Sequence, residues 1–133
     1  MLQELVLQTV EKKGFINITS KIAEIVGGSN IQNGICVVFV LHTTSAIVIN
    51  EDEPGLKKDI INVLDKLIPE QDFLHNVFDE NAKGHIITSL LGQSKTIIIK
   101  KGKLKLGAWQ SIFFAEFDGP RKNRKVLVQL IEE

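Results

Sequence analysis

The chain has 133 residues, with 16 basic and 16 acidic side chains, 44% hydrophobic and 24% charged residues. That length gives one domain, able to bury about two-thirds of its unfolded surface around one core, and the composition is globular rather than disordered. Zero net charge leaves no global field to recruit nucleic acid or anionic lipid, and apolar runs such as Ile35 to Leu41 fall far short of the roughly 20 residues a membrane span needs.

Leu2 to Thr9 alternates, with Leu5 and Leu7 on one face and Glu4, Val6 and Gln8 on the other, which predicts a strand. Gly14 breaks the run, and Phe15 to Thr19 reads as a second short strand. Ile22, Ile25 and Val26 then recur at helical spacing; Thr19 or Ser20 suits the cap, and Gly27-Gly28 the stop. Ile35 to Leu41 is continuous and largely β-branched, the pattern of a strand buried on both faces. It holds the single cysteine, Cys36. A lone buried thiol fits a reducing compartment, hence a cytoplasmic protein. Met1-Leu2-Gln3-Glu4 lacks the basic region and apolar stretch of a secretory signal.

Thr43 to Asn50 favours a strand. Glu51-Asp52-Glu53-Pro54 opens the main helix, with acidic groups at the positive end of the helix dipole and proline at the first helical position. Leu56, Ile60, Val63, Leu64 and Leu67 make its apolar stripe, and Pro69 stops it. Pro69 to Asn81 has no period and reads as a long loop, a common place for function. Ala82 to Leu91 is a third helix ended by Gly92. Lys95 to Lys100 is a strand, Lys101-Gly102-Lys103 a hairpin turn, and Trp109 to Phe117 a long strand. Asp118-Gly119-Pro120 turns into a last strand, Val126 to Ile131. The basic runs around Gly102 and from Arg121 to Lys125 read as solvated hairpin tips.

The chain has three histidines, His42, His75 and His85. Their spacing matches no compact zinc motif. Their neighbours are more informative. His42-Thr43-Thr44-Ser45 sets an imidazole and three hydroxyls at a strand end, a poor core but a good site for an anion or a metal-bound ligand. On an extended chain His42 and Thr44 face one way, Thr43 and Ser45 the other, so at most half the run lines one pocket. His75 sits in the aperiodic loop. His85 sits in the first turn of the third helix beside Asn81 and Gly84, where a helix N-terminus attracts anions and glycine permits close backbone approach. Three imidazoles with an open fourth position make a catalytic-type zinc site whose ring N–H groups need acceptors. Glu51, Asp79 and Glu80 are near in sequence; helix-start charge accounts for Asp52 and Glu53. Arg121 is the best phosphate grip, because its guanidinium can hold two oxygens. Trp109 reads as a large core or interface residue.

Read in order, the motifs are His42-Thr43-Thr44-Ser45-Ala46, Ile49-Asn50-Glu51, His75, Asn81-Ala82-Lys83-Gly84-His85, Ser89-Leu90-Leu91-Gly92, Leu106-Gly107-Ala108-Trp109-Gln110 and Glu116-Phe117-Asp118-Gly119-Pro120-Arg121. In this series the chain resembles the YjbQ-type family over almost its whole length. The resemblance implies a single β-rich α+β domain over residues 1–133, a mixed or antiparallel β-sandwich of jelly-roll character with two to three helices, assembled as a homotrimer. It implies that His42, His75 and His85 meet in a cleft, within one subunit or between subunits, and can hold a divalent metal such as zinc. It further implies a secondary thiamine-phosphate synthase activity, joining a pyrimidine diphosphate to a thiazole phosphate with release of pyrophosphate. His42, Thr44, Ser45 and Glu51 would then serve the chemistry, and Thr43, Asn81, Gly84, Trp109 and Arg121 the anionic substrate. Where family members often carry an acidic residue and alanine before the last histidine, this chain has Lys83 and Gly84. A metal-dependent hydrolase of a small phosphorylated or carboxylated metabolite, and a non-enzymatic trimer binding a small anion, are the alternatives. Neither nucleic acid nor membrane is an expected partner.

Overall fold

Alternating apolar residues set the core between two antiparallel sheets in a computed structural model that describes residues 1–133. In chain order the elements are β1 (Leu2–Thr9), β2 (Gly14–Asn17), α1 (Thr19–Gly28), β3 (Asn33–Val40), β4 (Ser45–Asn50), α2 (Pro54–Leu67), a 3-10 turn (Leu74–Val77), α3 (Ala82–Leu91), β5 (Ser94–Lys100), β6 (Lys103–Leu104), β7 (Ser111–Glu116) and β8 (Arg121–Glu132). One sheet has the order β1-β8-β3-β5-β6 and the other β2-β7-β4. Every pairing is antiparallel, so the chain is the expected β-rich α+β sandwich. No helix is long and apolar enough to cross a membrane.

The main core lies between the sheets, where Cys36, Val38 and Val40 of β3 meet Phe114 of β7 and Val128 and Leu130 of β8. Ile22 and Val26 of α1 close one side. A second cluster lies behind the small sheet: Ala46, Ala115 and Phe117 pack on Leu64 of α2 and Ile87 of α3. Full burial of one such large side chain contributes about 1.5–3 kcal/mol. Burial pushes the Cys36 thiol up to about 11, so it behaves as a small core residue.

Several local expectations change. β3 alternates rather than being buried on both faces: Cys36, Val38 and Val40 face the core, while Phe39 is exposed. The outer face of the five-stranded sheet, which carries Phe39, Ile98 and Ile131, is exposed, and an antiparallel sheet can leave one face uncovered. In α2 the packing side chains are Ile60 and Leu64, whereas Val63 and Leu67 point outward. The helix is capped by Glu53, whose carboxylate accepts from the backbone N–H groups of Gly55 and Leu56. α1 runs through Gly27-Gly28 and ends at Ser29. Its start is secured by Asn17, whose Oδ1 accepts from both the N–H and the hydroxyl of Thr19. Trp109 is in a turn, not a strand; Gly107 donates to Gln110 Oε1 at 2.8 Å and the indole is 75% exposed. β8 begins at Arg121 rather than Val126. The second basic run is therefore part of a strand, and the inward register carries Arg124 into the core with Val126 and Val128.

Candidate functional site

Ser45 pairs with Glu116 where β4 and β7 reach one end of the small sheet. The floor there is a buried ion pair. Arg124 donates through Nε to Glu116 Oε2 at 2.8 Å and through Nη2 to Oε1 at 2.5 Å. Glu116 also accepts from the Thr9 hydroxyl and from the backbone N–H groups of Phe117 and Asp118. Burial alone would raise the Glu116 pKa, but these hydrogen bonds and the Arg124 charge hold it below the usual carboxylate range. Arg124 Nη2 further donates to Thr44 Oγ1 at 2.9 Å.

Above this floor runs a chain of polar contacts. Arg121 donates through Nη2 to Asp118 Oδ2 at 2.8 Å and through Nε to the Asp118 carbonyl at 2.9 Å. Asn81 Nδ2 donates to the same Asp118 oxygen at 2.8 Å. Asn81 Oδ1 lies 2.8 Å from His75 Nε2. The His75 and His85 rings stand edge to face, centroids 4.7 Å apart. They line an open groove of about 560 Å³ whose walls include Phe73, Leu74, Ala82 and Ile86. Burial raises the Asp118 pKa, but bonds from Asn81 and Arg121 and the charges of Arg121 and Lys12 bring it below normal.

His42 is half-buried nearby, and its Nε2 accepts from the Lys125 N–H at 2.7 Å. Burial lowers its pKa first, and the positive charges of Arg124, Lys125 and Arg121 lower it further. A histidine held neutral in the fold stabilises it fully above its unfolded pKa. That contribution fades as pH falls, because the unfolded chain gains a proton before the folded one does. The depressed Glu116 and Asp118 act the same way lower down. Chemical unfolding is thus expected to show a first loss of stability below about pH 6.5 and a second, larger one below about pH 4. A His42→Gln variant should abolish only the first; a first loss that persists in it contradicts this account.

The structure gathers some of the predicted residues and separates others. His75 and His85 line the groove, and a chain of hydrogen bonds through Asn81 and Asp118 links His75 to Arg121. Thr43 is exposed, and its carbonyl accepts from the Thr88 hydroxyl of α3. Thr44 and Ser45 are buried. The chain bends at Thr43-Thr44 instead of staying extended, so strict alternation fails. The Thr44 hydroxyl is held by Arg124, and the Ser45 hydroxyl is enclosed without a partner, which puts both out of reach of a substrate. Gly84 is close to backbone, but to that of its own protein: a Cβ there would come within 2.7 Å of the Phe117 carbonyl oxygen. Glu51 and Trp109 lie at the opposite end of the small sheet, where Asn50 pairs with Ser111, roughly 20 Å away along six-residue strands. Lys83 is buried and donates to the Asp65 carbonyl at 3.2 Å, bracing α3 against α2. The acceptor for a ring N–H is Asn81 rather than Asp79 or Glu80, both of which are exposed.

No group of three or more His, Cys, Asp or Glu side chains gathers within metal-binding reach in one chain. His75 and His85 supply two imidazoles, short of the three protein ligands of a catalytic zinc site. Glu116, Arg124 and Asp118 complete this polar network and are not among the candidates the sequence offers; alternation bears on the first two only once the registers of β7 and β8 are known. Glu116 shares the inward register of Ile112 and Phe114, and Arg124 that of Val126 and Val128; a charge at each inward position on packed strands calls for the other.

Related proteins share this architecture. The chain is 46% identical over 133 residues to a UPF0047 protein of Methanocaldococcus jannaschii, covering 98% of this chain and 94% of that one. It is 35% identical over 122 residues to UPF0047 protein YugU of Bacillus subtilis, covering 91% and 92%. A YbjQ-like protein of unknown function from Sulfolobus solfataricus superposes with a TM-score of 0.97 at 37% identity, covering all of this chain and 97% of that one. An uncharacterised conserved protein of the YjbQ/UPF0047 family from Clostridium acetobutylicum gives a TM-score of 0.92 at 46% identity, covering 97% and 99%. The family model described as UPF0047 protein YjbQ-like matches residues 3–133. Sequence and fold agree, and the chain belongs to the YjbQ (UPF0047) family.

Proposed function

We propose that the protein is an enzyme acting on a small phosphorylated substrate in the groove beside His75 and His85, with thiamine-phosphate synthesis as the reaction to test first. The observation that carries this reading is the pair of touching imidazoles tied through Asn81 and Asp118 to a cationic group. An imidazole pair can take or give a proton at neutral pH. Arg121 is half-exposed, and its Nη1 makes no bond within the protein, so it can receive a phosphate oxygen. With a pyrimidine diphosphate bound against it, that positive charge would offset the negative charge growing on the departing diphosphate.

A divalent metal, zinc by ligand type, would be held by His75 and His85 and needs further donors from a second copy, because the Lys125 N–H occupies the His42 Nε2 lone pair. Two rings do not complete the set, so no step is assigned to it. A homotrimer is part of the same proposal. Its support is the uncovered face of the five-stranded sheet, where Ile98, Ile35 and Ile131 stand in one row across three strands and Ile98 is 60% exposed. Apolar patches of this kind mark association surfaces. Leu74, Val77 and Phe78 flank His75 and are also exposed, which fits a groove covered by a neighbour.

The test mixes the untagged protein with the pyrimidine diphosphate, with and without the thiazole phosphate, and measures pyrophosphate and phosphate. Product release that needs both substrates, and falls about 10²–10⁴-fold in His85→Ala, supports the synthase. Release from the diphosphate alone favours the hydrolase. Thermal stabilisation by pyrophosphate without any turnover leaves only a binding protein and overturns the enzyme reading. Solution mass and elemental analysis of the same sample test the trimer and the metal.

A further inference from the structure

Building on the acid–base reading of the groove, we infer that Asn81 and Asp118 are positioning residues that lock His75 as its Nε2–H tautomer, leaving Nδ1 as the bare nitrogen. A carboxylate only accepts hydrogen bonds. Asp118 is buried and anchored by Arg121, and its Oδ2 faces Asn81 Nδ2 at 2.8 Å. Turning the Asn81 amide over would oppose two acceptor oxygens, so the carboxylate fixes which end of the amide faces the groove. That end is Oδ1, also an acceptor only, and it lies 2.8 Å from His75 Nε2. The ring nitrogen must therefore carry the hydrogen.

His42 is fixed the other way. The Lys125 backbone N–H can only donate, and it donates to His42 Nε2 at 2.7 Å. Its Nε2 is bare and its Nδ1 carries the hydrogen. Histidines at one end of the fold are thus held in opposite proton arrangements by partners of opposite polarity. His75 offers a lone pair at Nδ1, the form a general base or a metal ligand requires; His42 offers an N–H donor.

The test is the long-range nitrogen–proton NMR spectrum of the full chain with ¹⁵N-labelled histidine at pH 8. His75 is expected to show its proton confined to Nε2 and His42 its proton on Nδ1. In Asn81→Ala the Nε2 proton signal of His75 should be lost to exchange with water. In Asp118→Asn the freed amide admits the Nδ1–H form, and the two nitrogen frequencies should move toward each other. An unchanged His42 pattern reports an intact fold in both variants. A wild-type His75 already divided between tautomers, or one unmoved by Asn81→Ala, overturns the inference whatever the activity. If turnover exists, Asn81→Ala should lower kcat about 10–100-fold with little change in KM. A locked His75 in a protein without turnover on phosphorylated substrates would sink the proposed function and leave the positioning role standing.

Discussion

Arg124→Ala is expected to destabilise the protein by about 3–5 kcal/mol at pH 7, a large part of the roughly 5–15 kcal/mol that holds a domain together. The guanidinium contributes three hydrogen bonds, two to Glu116 and one to Thr44. Its loss leaves a carboxylate inside the core with the Thr9 hydroxyl and two backbone N–H groups as its only partners. Such a charge is costly unless it takes up a proton. The Glu116 pKa should therefore rise in the variant, and the deficit relative to wild type should shrink between pH 7 and pH 5. Replacing the pair together, Glu116→Leu with Arg124→Met, should recover much of the loss, because two apolar groups leave no buried charge. Urea unfolding of the single and double variants at both pH values measures all of this. A single-variant cost below about 1 kcal/mol would mean that water reaches the pair.

Gly84→Ala should couple stability to the site. The added methyl would meet the Phe117 carbonyl oxygen at 2.7 Å, and neither side of that contact is a flexible side chain. α3 is also held by the Thr88 hydroxyl on the Thr43 carbonyl and by Asn81 on Asp118, so relief requires the whole N-terminal turn to back away. Overpacking of this kind costs roughly 1–3 kcal/mol. His85 follows Gly84 directly, so its ring moves with the helix, and an ångström at a reacting group is worth about a hundredfold in rate. The expected result is a folded protein with a lowered Tm and an altered His75–His85 contact and, if the proposed function holds, an activity reduced far more than the stability loss explains. Unchanged unfolding and unchanged histidine spectra would show that the close approach is not needed.

The site joins a rigid half to a lightly packed half. His42, Asp118 and Arg124 stand on or beside strands with buried registers. His75 rides on a 3-10 turn whose four residues are all unburied. Packing alone does not hold that turn; the ring is restrained by the bond His75 Nε2–H donates to Asn81 Oδ1 and by its contact with the His85 ring.

Much of this was legible in the residues themselves. Period-two alternation in β1, the run of β3, the acidic and proline start of α2 and the Lys101-Gly102 turn are local signals, and each element stands where its side chains place it. The ordered motifs around the three histidines were equally readable and gave the family. What sequence could not decide was which face of an element is covered. Phe39, Val63 and Leu67 are as apolar as their buried neighbours, yet no element packs over them. Nor could it show that Arg124, in a run that reads as a solvated tip, enters the core, since its reason for being there is Glu116 on another strand. Glu51 and His42 lie nine residues apart in the chain, but an extended strand between them sends them to opposite ends of a sheet. Asn81 and Asp118 lie 37 apart and touch. Covalent order fixes local conformation through sterics and periodicity; contact between distant side chains exists only once burial of the apolar faces has brought the strands together.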